Sequence, residues 1–135
     1  MSKRGVTFEQ VRERMLALPG VEEGSSYGTP GFRVKGKFMS RLREDDVLVL
    51  KPIDEMERRF LMDTQPPTYF ITDHYAGSDA ILVRLSKARG DDLRGLIERC
   101  WTALAPPKLR AARDRDAMPV VNIRVAASRT KALPR

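Results

Sequence analysis

Arg33, Lys35, Lys37, Arg41 and Arg43 stand close together in this chain with no acidic residue among them. Ammonium and guanidinium groups neutralise phosphates and release counterions, so a run of this kind on one face of a hairpin is the raw material of a nucleic-acid contact. The five are therefore candidate nucleic-acid-binding residues, and DNA is the partner they point to. Glu22, Glu23, Glu44, Asp45 and Asp46 flank the run and partly cancel its field. A sheet face made soluble by Lys and Arg is the plainer account of the same residues.

A second constellation is built from Lys51, His74 and Tyr75. His74 is the one histidine and lies between Asp73 and Asp79. An imidazole titrates near neutrality and can act as acid or base when a carboxylate orients it. Lys51, at the end of an apolar run, would hold an anion. Together the three outline a small anionic-ligand-binding or enzymatic pocket, but their separation in sequence leaves open whether they meet. The alternative is structural, with His74 bonding loop backbone and Tyr75 packing its ring. Ser26-Tyr27-Gly28-Thr29-Pro30 offers hydroxyls and a glycine. It lacks the second spaced glycine and the Lys-Ser/Thr pair of a phosphate-binding loop, and reads as a turn. One His and one Cys, far apart, do not make a metal site. Cys100 falls on an apolar stripe and reads as a buried, inert thiol. No catalytic residue and no cofactor follow from these patterns.

The elements that must position these groups can be read in chain order. Thr7 with Gln10 three residues on is a capping-box pattern, and Phe8, Val11, Met15 and Leu18 follow at helical spacing up to Pro19-Gly20. Val21 to Tyr27 reads as an edge strand. Turn signals at Gly28–Gly31, Lys35–Lys37 and Glu44–Asp46 then separate strand-like runs at Phe32–Val34, Phe38–Leu42 and Val47–Leu50. Alternation puts Phe38, Ser40 and Leu42 on one face of the middle strand, and Lys37, Met39, Arg41 and Arg43 on the other. Asp54 caps a short helix, Glu55 to Met62, with Met56 and Phe60 turned inward. Tyr69–Ile71 and Ala80–Leu85 are further strands. Leu93, Leu96, Ile97, Cys100, Trp101 and Leu104 recur in steps of three and four, predicting a long amphipathic helix over 91–105 that Pro106-Pro107 closes. The expected core is Val11, Met15, Leu18, Phe32, Phe38, Leu42, Val49, Phe60, Leu82, Leu96, Cys100 and Trp101.

The chain has 135 residues, enough for one domain with a core of its own, and a formal net charge of +7. From Pro107 onward there are eight basic and two acidic residues, so nearly all the excess lies there and the body is close to neutral. This divides the chain into a domain over 1–110 and a basic tail over 111–135, partly flexible, with a strand-like piece at Pro119–Val125. No apolar run approaches a membrane span, no secretory signal follows the N-terminal basic residues, and the lone cysteine suits a reducing compartment. A cytoplasmic protein with no membrane partner is the expectation.

Several of these residues carry a resemblance to a known family. Leu18-Pro19-Gly20-Val21 with Glu22 and Glu23, Ser26-Tyr27-Gly28-Thr29-Pro30, Phe32-Arg33-Val34, Lys37-Phe38, the Leu48–Lys51 strand end, Tyr69-Phe70, His74-Tyr75 and the Trp101 helix occur in an order and spacing similar to the MmcQ/YjbR family of small bacterial proteins. The resemblance spans roughly residues 7 to 110. It implies a CyaY-like α+β fold of two layers, an antiparallel sheet with N- and C-terminal helices on one face. Members of that family are commonly labelled DNA-binding, with a winged mode of attachment. The fold's kinship with frataxin raises iron held on an acidic ridge, but Arg12 and Arg14 beside Glu9 and Glu13 break such a ridge. The leading expectation is a non-catalytic DNA-binding protein using the basic hairpin and tail. A pocket at Lys51, His74 and Tyr75, or a protein-interaction domain, are the alternatives.

Overall fold

The computed structural model of the chain describes residues 5–26 and 28–117. Helix α1 (Phe8–Leu16) begins at the expected capping box: Gln10 N donates to Thr7 Oγ1 at 3.1 Å and Thr7 N to Gln10 Oε1 at 2.9 Å. There follow strands β1 (Val21–Ser26), β2 (Thr29–Val34), β3 (Lys37–Glu44) and β4 (Val47–Leu50), helix α2 (Glu55–Thr64), strands β5 (Tyr69–Phe70) and β6 (Ile81–Arg84), and helices α3 (Gly90–Leu104) and α4 (Pro107–Ala117). The strands form one six-stranded sheet in the order β1-β2-β3-β4-β6-β5, every pairing antiparallel. The α+β class read from the sequence is the class found. Among the described residues, no helix is long and apolar enough to cross a membrane.

The hairpin turns follow from local chemistry. Lys35 and Gly36 both have positive φ, 50° and 83°, and form the two-residue loop whose twist matches the strands it joins. Thr29, Pro30 and Gly31 do not form the expected turn; they are paired residues of β2 opposite Ser26, Ser25 and Gly24. The chain reverses before them, where Gly28 has φ 82°.

The two faces of the sheet have different fates. One carries Phe32, Val34, Met39, Leu48, Leu50, Ile81 and Val83 into a core shared with Val11 and Met15 of α1 and Leu93, Leu96, Ile97, Cys100 and Trp101 of α3. Trp101 Nε1 donates to Pro19 O at 2.8 Å, tying α3 to the exit of α1. The other face carries a smaller cluster, Val47, Val49, Ala80 and Leu82, against which Phe38, Phe70, Ile71 and Tyr75 pack; among the described residues, none from an α-helix joins it.

Three expectations about the core are corrected. Phe60 is 62% and Met56 79% exposed; Arg58 and Leu61 are the buried residues of α2. Alternation along β3 breaks at a bulge: Phe32 pairs with Ser40 but Arg33 with Phe38, so Met39 is an extra residue. Met39 is fully buried under the helices, while Phe38 lies on the opposite face. Val49 and Leu82 are buried, but in the smaller cluster rather than under α1 and α3.

Helix α4 runs through the boundary expected at residue 110. Leu109 packs so close to Gly20 that a Cβ added there would lie 2.5 Å from Leu109 Cδ1. Arg113 pairs with Glu98 at 3.1 Å and covers the Trp101 ring at 5.6 Å. Pro107 opens this helix, where its missing N–H is no loss, as well as ending the previous one. The strand-like piece at 119–125 and most of the basic tail lie outside the described residues.

Candidate functional site

Strand register sets out the open face of the sheet in rows. Residues directly opposite on antiparallel strands share a face, so Arg41, Val49, Leu82 and Phe70 form one row across β3, β4, β6 and β5. In the adjacent row Arg33 stands opposite Phe38. Lys51, two residues past Val49 and just beyond β4, continues the outward alternation; its N–H donates to Met39 O at 3.0 Å. Glu22, opposite Arg33 on β1, belongs to the same face.

The segment between β5 and β6 folds back over these rows. A single 3-10 turn at Asp73–Tyr75 brings His74 and Tyr75 over the sheet, their rings edge to face with centroids 4.9 Å apart. Tyr75 packs on the small apolar cluster. The segment is pinned at its far end: Ile53 N donates to Asp79 O at 2.8 Å, and Arg58 Nη1 reaches across from α2 to Ser78 O at 2.6 Å and Ala80 O at 3.0 Å.

The result is an open cleft of about 620 Å³ lined by Arg33, Phe38, Arg41, Val49, Lys51, His74 and Tyr75. Two groups of residues singled out separately in the sequence thus share one site. Its floor is Phe38 and Val49, and its charged wall is Arg33, Arg41 and Lys51. The Arg33 guanidinium lies 5.8 Å from the Phe38 ring centroid. Arg41 Nη1 donates to Thr29 Oγ1 at 3.5 Å. Lys51 Nζ lies 3.5 Å from Asp79 Oδ1, with both side chains more than a third exposed, so the pair is weak and its cation can turn to another anion.

The remaining hairpin cations are elsewhere. Lys35 occupies the turn, and Lys37 pairs with Val34 on the helix-covered side of the sheet. Arg43 sits at a second bulge and bonds Glu44 at 2.6 Å. Of the five, the structure brings Arg33 and Arg41 together. The contributions of Phe38 and Val49 were missed, because alternation assigned Phe38, and its place in a continuous apolar run assigned Val49, to the main core. The signal that finds them is the excess of apolar residues on β4, which alternate between two buried faces rather than one. Among the described residues, no group of three or more His, Cys, Asp or Glu side chains converges as a metal site would require. Cys100, on the helix-covered side, is fully buried, and burial pushes its thiol up to about 12.

Residues 16–103 match the model of the family described as YjbR. An uncharacterised protein of Mycobacterium bovis and one of Mycobacterium tuberculosis are each 36% identical to this chain over 64 residues, which is 47% of this chain and 50% of theirs. The match thus spans about half the length of those relatives.

Proposed function

The chain belongs to the YjbR family, and we propose that the cleft on the open face of its sheet binds an organic anion. One observation carries the reading: Arg33 from β2, Arg41 from β3 and Lys51 from just past β4 line a single cavity over an apolar floor. Guanidinium groups bind carboxylates and phosphates through paired N–H donors, and a low-dielectric floor strengthens such bonds. The volume lies within the range of sites that hold drug-sized ligands. No nucleophile or acid–base pair is assigned, so the role is binding. Ligand-observed NMR with a panel of organic carboxylates and phosphates tests it, repeated on the Arg33→Glu/Arg41→Glu variant. Compounds that bind the parent chain should weaken about tenfold or more on charge reversal, a loss of at least 1.4 kcal/mol. Undiminished binding by the variant, or no organic anion bound at all, removes the reading.

DNA binding is the second reading. Arg33 is exposed on the same hairpin as Lys35 and Lys37, and the formal net charge is +7. Phosphates of a backbone would then occupy the positions offered to a free anion. Three contacts, from Arg33, Arg41 and Lys51, give a slope of about −3 in log K against log salt. Charge reversal at Arg33, Lys35 and Arg41 should abolish that affinity. An organic anion that binds the cleft should displace DNA competitively, and additive binding of the two would separate them.

A further inference from the structure

We infer that the ligand of this cleft is a flat aromatic acid carrying a single negative charge. The inference rests on the anion reading above and narrows it by two independent features of the same walls.

The first is charge. Arg33, Arg41 and Lys51 are the cations of the cleft. Glu22 stands directly across the strand pair from Arg33, and Asp79 holds Lys51 at 3.5 Å. Carboxylates beside the wall therefore already offset part of its charge. A singly charged acid asks less of that field than a polyanion does. A ligand with several phosphates would bring more negative charge than the walls can match, against a field that Glu22 and Asp79 already oppose.

The second is the shape and chemistry of the apolar part. Phe38 rises from the sheet and Tyr75 comes from the overlying segment, so aromatic side chains enter the cavity from two elements. His74 presents a third ring against Tyr75. The one aliphatic residue of the lining is Val49. Aromatic faces and edges attract another ring beyond what area alone provides, and a guanidinium over Phe38 offers a further flat surface for stacking. An aliphatic acid of equal size would bury similar area and forgo those contacts.

Three probes of one skeleton separate the claims: 2-naphthoate, its saturated counterpart decahydro-2-naphthoate, and the uncharged 2-naphthamide. Affinities are measured by isothermal titration on the full chain, with the fluorescence of the naphthyl compounds as a second readout. The expected order places 2-naphthoate first, about three- to tenfold tighter than the saturated acid. On Phe38→Leu and, separately, Tyr75→Leu that preference should shrink toward unity, with 2-naphthoate losing more affinity than the saturated acid. Equal binding of the two acids to the parent chain overturns the aromatic assignment and leaves the anion reading standing. Equal binding of naphthoate and naphthamide overturns the anion reading itself. If no naphthyl compound binds while other organic anions do, the aromatic assignment falls alone. A preference that survives both Leu variants places the probe outside this cleft and overturns the assignment as well.

Discussion

Replacing Arg58 by Met tests how the wall that carries Tyr75 is held. The Arg58 side chain is 8% exposed, and its Nη1 supplies donors to the carbonyls of Ser78 and Ala80. Methionine keeps most of the apolar stem and removes both hydrogen bonds. Bonds from a charged group contribute about 1.5–3 kcal/mol each. Two effects reduce the sum: Ser78 O is only partly buried and can recruit water, and the variant no longer buries a guanidinium whose Nε has no protein partner. The Glu55 contact, to a carboxylate that is 60% exposed, adds little. The expected net loss is about 2–4 kcal/mol, with a fall in Tm of roughly 8–16 °C. Urea unfolding followed by the emission of buried Trp101 measures the first, and calorimetry the second. Because the pinned segment carries Tyr75 and Asp79, affinity for organic acids should fall in parallel. A loss under about 1 kcal/mol would mean that other donors serve those carbonyls, and the clamp would have to be abandoned.

Other consequences can be checked singly. Phe60→Ser and Met56→Ser should each change stability by less than about 0.5 kcal/mol, since both side chains are exposed; a larger loss in urea titration would place α2 differently. Lys35→Asn should gain roughly 0.5–1 kcal/mol, because Asn tolerates the positive φ of the hairpin turn better than Lys. Burial raises both Cys100 and Tyr69 to about 12, from ordinary values of 9.0 and 10.0. The folded state thus keeps protons that the unfolded chain releases first, so stability is full below about pH 9 and declines toward pH 12. A urea midpoint that stays level across that window would contradict the burial of both groups. Below pH 9 the Cys100 thiol should react with soluble disulfide reagents no faster than the chain opens.

Periodicity made most of the architecture legible. Leu93, Leu96, Ile97, Cys100 and Trp101 lie on the buried stripe their spacing described, and the capping box at Thr7 marks the true start of α1. What alternation could not reveal was an inserted residue, because a bulge has no compositional mark in Phe38-Met39-Ser40. Nor could it show that the sheet has two apolar faces: Val47–Leu50 is buried throughout, and a continuous run does not say which residues go to which side. The inward turn of Met56 and Phe60 failed for another reason. Helix α2 is placed by Arg58 bonding the chain before β6, and a buried guanidinium overrides what apolar spacing suggests. Lys51, His74 and Tyr75 were identifiable by chemistry, but only the register of β2, β3 and β4 and the return of the Asp73–Tyr75 turn over the sheet bring them to one cavity with Arg33 and Arg41.

The doubled residue in β3 gives this strand an unusual tolerance of a change in length. Excising Met39 would restore even alternation with Phe38, Ser40 and Arg41 still opposite Arg33, Phe32 and Gly31, so each keeps its face and only the buried Met39 side chain is lost. A one-codon deletion there would thin the core without exchanging inside for outside, whereas the same deletion in an evenly paired strand would exchange the two. Loss of Met39 should therefore lower stability while Arg33 and Arg41 keep their places in the cleft.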